Sequence, residues 1–137
     1  MKNIIVKGIV AGLALMIFNL IAIYSIIFFF PKIADEYYNP IFSLESYKTT
    51  LYFIHPFLVS FALAWFWQRF KSLFHGSFWF RGFEVGLAYS FVAVFPSMWL
   101  IFSTMSVSLP IVLSWFAYGT LQGVVVGIIY AKIKPEN

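Results

Sequence analysis

The chain has 137 residues, of which 62% are hydrophobic and only 10% charged. Soluble domains carry about 45–50% apolar and about 25% charged residues, so this composition excludes an ordinary water-soluble fold, and the length suits one domain. The absence of cysteine excludes disulfides, iron–sulfur clusters and thiolate metal sites, and the net charge of +4 is scattered at segment ends rather than gathered into a nucleic-acid-binding patch.

Residues 4–30 form the first long apolar run, interrupted by Lys7 and a few small or amide side chains. About 20 apolar residues at 1.5 Å each cross a bilayer, so this run predicts a transmembrane helix. It exceeds the ~7–15-residue core of a signal peptide, and Phe28-Phe29-Phe30-Pro31 offers no small-residue cleavage site, so the helix is expected to be retained. Residues 31–46 are the one long polar connection, punctuated by Pro31 and Pro40 and made acidic by Asp35, Glu36 and Glu45. Tyr37 and Tyr38 suit a headgroup layer there, and a short interfacial helix fits. The second span is expected at 47–70, with His55-Pro56 in its first half and Trp65, Trp67 and Arg69 at its end. A short connection, 71–80, leads to a third span at 81–102, with Glu84 near its start and Pro96 in its second half. After a turn at 103–108 comes a fourth span, 109–133, with Pro110 in the first turn, where a missing N–H costs nothing. The expected fold is all-α: one integral membrane domain, a four-transmembrane-helix bundle.

Orientation follows from the basic residues. Lys2, Lys7, Arg69, Lys71, Arg81, Lys132 and Lys134 fall on one side of these spans, and only Lys32 and Lys48 on the other. The positive-inside rule then places both termini in the cytoplasm and the acidic loop outside, as for a multi-pass protein of the bacterial inner membrane.

Glycine is used periodically. Gly119, Gly123 and Gly127 stand four apart and continue to Ala131, and the device recurs in Gly8/Gly12 and in Gly82/Gly86/Ser90. Residues i and i+4 lie above one another on a helix, so each series makes a smooth ridge against which a neighbouring helix can pack closely. Residues 7–14 and 81–88 share the pattern basic-G-x-x-x-G-L-A, and PFLVSF at 56–61 echoes PIVLSW at 110–115. Two parallel helical-hairpin repeats are the architecture these echoes suggest, with chance similarity in an apolar alphabet as the alternative.

Asn19 and Gln122 fall near the middle of their spans, with Tyr89 and Ser90 close to that depth on the third. Hydrogen bonding between helices is the plainer and favoured reading, at about 0.6 kcal/mol per group; a polar-lined binding site at the midplane is the sharper one. His55 is an ionisable residue inside a span and so a functional candidate. Pro56 and Pro96 each free a backbone carbonyl at similar depth, so the second and third spans are expected to bend apart around a pocket walled by His55, Ser97 and Trp99. Against this stands a neutral histidine satisfied by a nearby hydroxyl, with the prolines as ordinary kinks. A metal wants several converging ligands, and His75 is expected on the opposite side from His55, so no metal or cofactor is expected. Glu84 has Arg81 three residues before it on one face, which suits an interfacial ion pair better than proton-coupled transport.

The basic-G-x-x-x-G-L-A opening, the acidic outer loop and the glycine-laddered last helix resemble small bacterial four-helix membrane proteins of unknown function, a likeness that transfers no catalytic residues. Small multidrug transporters are similar in size, but they carry a glutamate deep in the first helix, and this chain has none. The expected role is non-enzymatic: a bundle binding a membrane protein partner or an apolar, lipid-like ligand, without nucleic acid. A small homo-oligomeric transporter or channel using Glu84, Asn19 and Gln122 is the alternative.

Overall fold

The computed structural model describes residues 2–42 and 45–133. Met1, Ser43, Leu44 and the tail from Lys134 onward, whose charge entered the orientation argument, lie outside the described residues. The elements run α1 (Lys2–Phe29), α2 (Pro31–Glu36), a 3-10 turn (Pro40–Phe42), α3 (Ser46–Phe70), a second 3-10 turn (Lys71–Leu73), α4 (Phe78–Tyr89), a π-helical segment (Ser90–Val94), α5 (Phe95–Thr104) and α6 (Leu109–Lys132). Among the described residues, four helices are long and apolar enough to cross a membrane, and no strand is present. The fold is the expected all-α, four-span arrangement.

Local chemistry explains where these helices start and stop. α1 ends before Phe30 because the residue preceding a proline is driven out of the α region; Pro31 then opens α2, the short helix expected in the acidic loop. The third span begins at Phe78, three residues earlier than expected, because Ser77 caps it by accepting from the Phe80 N–H. Gly76, with φ +98°, supplies the left-handed turn that brings the chain into that cap. Ser108 caps α6 in the same way through the Ile111 N–H, with Pro110 in its first turn. The third span is not one regular helix. At its middle the Phe95 N–H bonds back to the Ser90 carbonyl, five residues away, so one extra residue is accommodated just before Pro96.

Two hairpins result. α1 packs along α3 and α4 along α6, while α6 makes smaller contacts with α1, α3 and α5. α3 has no substantial packing against α4, the π segment or α5. The start of α1 meets the end of α6, so both ends of the four-span unit lie at one end, here termed the base; the opposite end is the crown. A core at the base gathers Ala11 and Leu15 of α1, Val59, Leu63 and Trp67 of α3, Val85 of α4, and Val126 and Tyr130 of α6. A smaller crown cluster joins Val107, Ile111 and Val112 to Ile33, Phe42 and Trp115.

The glycine ladders face neighbouring helices, by two different devices. In the first hairpin Gly8 receives the ring of Phe61 and Gly12 that of Phe57. In the second, backbone meets backbone: a Cβ on Gly127 would lie 2.7 Å from the Gly82 carbonyl oxygen, and one on Gly123 would lie 3.1 Å from Gly86 Cα. Gly119 continues the ladder against Val94 of the π segment. The first half of the sequence echo therefore has a structural counterpart, since Gly8/Gly12 and Gly82/Gly86 each seat the returning helix. The second half does not. That echo pairs Phe61 with Trp115, whereas the glycine seats pair Phe61 with Ile128; Pro56 is buried inside α3 while Pro110 merely opens α6.

Candidate functional site

The buried polar groups form pairs that bridge or brace the helices. At the base, the Ser60 hydroxyl donates to the Gly8 carbonyl, and the fully buried Tyr130 hydroxyl donates to the Ser60 carbonyl at 2.6 Å. One serine thus joins α1, α3 and α6. Towards the middle, Asn19 is only 3% exposed and accepts from the Tyr52 hydroxyl at 3.0 Å, which ties α1 to α3. Gln122, 1% exposed, donates from its amide to the Tyr118 hydroxyl at 2.9 Å, one turn away on α6. The Tyr118 ring in turn stacks on Phe18 of α1, with centroids 5.5 Å apart. Ser90 and Thr120 share a 2.8 Å hydrogen bond between the π segment and α6. Tyr89 is partly buried against Gly123 and the base core. Asn19, Tyr89 and Gln122 all turn inward; of the three, Asn19 makes the expected hydrogen bond between helices, whereas Gln122 bonds within α6.

The residues expected around the prolines are not brought together. His55, Ser97 and Trp99 are exposed, Trp99 by 70%, and among the described residues α3 and α5 share no substantial packing that would bring the three together. The expectation treated the second and third spans as neighbours, but α6 is the helix that contacts both. The Ser97 hydroxyl instead donates to the Ala93 carbonyl at 2.7 Å, satisfying a backbone group of its own helix. The crown half of the first hairpin is lightly packed as a whole. No residue of α1 beyond Asn19 is buried, nor any residue of α3 before Pro56, although that part of α3 carries Thr49, Thr50, Tyr52 and His55.

Glu84 also departs from expectation. Among the described residues it forms no ion pair with Arg81; its Oε2 and the Arg81 Nε are both sealed from solvent without a hydrogen-bond partner. The Arg81 guanidinium lies over the Trp67 ring, 4.8 Å from its centroid, and so bridges α4 to α3 where the two otherwise barely meet. Trp67 is nearly fully buried and stacks on Phe74, which fixes the platform.

At the crown, Tyr37 and Tyr38 have separate fates. Tyr38 is 88% exposed, whereas the Tyr37 hydroxyl accepts from the Trp115 indole N–H at 2.6 Å. Burial pushes the Tyr37 phenol above its ordinary range, outweighing the opposing effect of that hydrogen bond. Beside it a cleft of about 330 Å³ is lined by Asp35, Glu36, Asn39, Phe42, Ser106 and Ser108. Among the described residues no three His, Cys, Asp or Glu side chains converge.

Ser60, Tyr130, Tyr52, Tyr118 and Trp115 were not singled out from the sequence. Tyr118 alone left a signal, standing one turn before Gln122 on the glycine-bearing helix. No family model, curated protein or solved structure matches the chain.

Proposed function

We propose that the chain is a non-enzymatic integral membrane bundle whose crown half binds a membrane protein partner or an apolar, lipid-like ligand. One observation carries this reading: ten residues of α3 before Pro56 are exposed on every face, and they include an ionisable His55 within a span. An imidazole facing acyl chains has nothing to bond to, and intramembrane ionisable groups ordinarily find a partner. The tightly joined base supplies a rigid mount, and the lightly packed crown supplies the surface. Lys7, Arg69, Lys71, Arg81 and Lys132 gather at the base against Lys32 and Lys48 at the crown. This charge bias supports a base in the cytoplasm of a bacterial cell, with both termini there.

The chain has no cysteine, so single-cysteine variants are clean reporters. Leu51→Cys and Ile54→Cys, labelled with a photoreactive maleimide in native membranes, should yield discrete adducts of protein or lipid mass, with Phe91→Cys on the π segment as control. His55→Leu should remove them. Adducts no more abundant than the control, or unaffected by His55→Leu, would defeat the proposal.

A homo-oligomeric transporter or channel is the second reading. It draws on the pairs Tyr37–Trp115, Tyr52–Asn19 and Tyr118–Gln122, which descend from the crown to mid-depth. Conduction would also require passage through Ala11, Leu15 and Val126, all fully buried at the base. Ion flux in proteoliposomes that vanishes with Asn19→Leu would establish it; absence of flux in the wild type removes it.

A further inference from the structure

The Arg81–Glu84 step is the unexplained polar feature of the base. Residues three apart on a helix are neighbours, with Cβ atoms about 5–6 Å apart, yet these two do not pair. Arg81 spends one guanidinium face on Trp67. Its Nε is sealed, and so is one oxygen of Glu84, but both residues remain partly exposed. The Arg81 terminal nitrogens and the other Glu84 oxygen are not among the sealed, unpartnered atoms. At 1.5 Å per residue they lie about 4.5 and 9 Å along α4 from its start, the depth of phospholipid headgroups and the first part of the acyl region. Exposed Phe80, Phe83 and Leu87 run beside Glu84 on the outward stripe of α4.

We propose that this step is a seat for the headgroup of a zwitterionic phospholipid whose amine carries N–H groups, the phosphatidylethanolamine class. Its phosphodiester lies against the terminal nitrogens of the Arg81 guanidinium, and its ammonium donates to the other oxygen of Glu84. Its acyl chains follow Phe80, Phe83 and Leu87. The pairing of charges selects this chemistry over its neighbours. A purely anionic lipid would satisfy Arg81 but stand one helical step from a carboxylate, and a choline head has no N–H to give Glu84. Held there, the lipid braces the sparsely packed seam that the Arg81 guanidinium bridges by lying over Trp67. The seat is at the base, remote from the crown surface described above, so the two readings fail separately.

The test is retention of defined lipids by the purified full-length chain, read by native mass spectrometry from detergent containing equal amounts of ethanolamine, choline and glycerol phospholipids with identical acyl chains. The wild type should retain the ethanolamine lipid over the choline lipid by about tenfold, the discrimination expected of one hydrogen bond to a charged group. Glu84→Gln should reduce that ratio to within about twofold, Arg81→Gln should weaken retention of all three, and Lys132→Gln should change nothing. Mono- and dimethylated ethanolamine lipids need no variant: retention should persist while one N–H remains and fall only at the fully methylated head. Soluble glycerophosphoethanolamine should not displace the lipid. Equal retention of ethanolamine and choline lipids, a preference for the glycerol lipid, an unchanged ratio in Glu84→Gln, or displacement by the soluble headgroup would each overturn the proposal.

Discussion

Gly127→Ala probes the second hairpin most directly. The added methyl would lie 2.7 Å from the Gly82 carbonyl oxygen, 2.8 Å from Val85 Cβ and 3.0 Å from Gly82 Cα. Comfortable contact begins near 3.5 Å, so α4 and α6 must part by roughly 0.7 Å. A gap of that order forfeits about a quarter to a half of the attraction at every contact along the pair. Overpacking of this kind costs about 1–3 kcal/mol, while the better helix propensity of alanine offsets about 1 kcal/mol, leaving a net loss of up to about 2 kcal/mol. The blocking atoms are mostly backbone and cannot turn aside. Gly12→Ala meets the edge of the Phe57 ring instead, which can rotate, so its cost should stay below about 1 kcal/mol. Reversible unfolding of both variants in mixed micelles, followed by far-ultraviolet circular dichroism and tryptophan fluorescence, measures the difference. A Gly127→Ala protein more stable than the wild type, or no less stable than Gly12→Ala, would refute the backbone-on-backbone argument.

Other substitutions test the polar pairs. Ser60→Ala removes the donor to the Gly8 carbonyl, and Tyr130→Phe the donor to the Ser60 carbonyl; each should cost about 1 kcal/mol in the same assay, and their double variant should depart from additivity because they share one residue. Gln122→Leu should be mild, within about 1–2 kcal/mol, since only the hydrogen bond to Tyr118 is lost; failure to fold would show that the midplane amide matters far more. Tyr37 makes the crown alkali-sensitive. Its folded-state pKa is raised, so its contribution is complete below the ordinary tyrosine value near 10 and is lost as pH climbs beyond it. Tyr37→Phe should therefore flatten the fall in thermal stability above pH 10; an unchanged slope would remove Tyr37 as the cause.

The spans and the inward faces of the glycines were legible because both rest on one-dimensional rules: the length needed to cross a bilayer and the four-residue repeat of a helix face. Asn19 and Gln122 were placed by the same ruler. The His55–Ser97 pocket was not legible, because equal depth on two helices does not make them neighbours, and α6 rather than α5 is what α3 contacts. The π segment left no mark beyond Pro96, since one inserted residue alters no hydrophobic run. For Arg81, spacing offered Glu84 as the partner, but the Trp67 ring arrives from another helix, and no local pattern in the chain announces it.

The break at residues 90–94 bears on how the protein meets bilayers of different thickness. Ahead of it in that span, Gly82 and Gly86 hold α4 close to Gly127 and Gly123 of the last helix, whereas α5 buries no residue of its own. Hydrophobic mismatch is ordinarily relieved by tilting a whole helix. Here a ten-residue rod stands beyond a mid-depth joint, a place where such strain can be taken up without shifting the register of the hairpin beneath it.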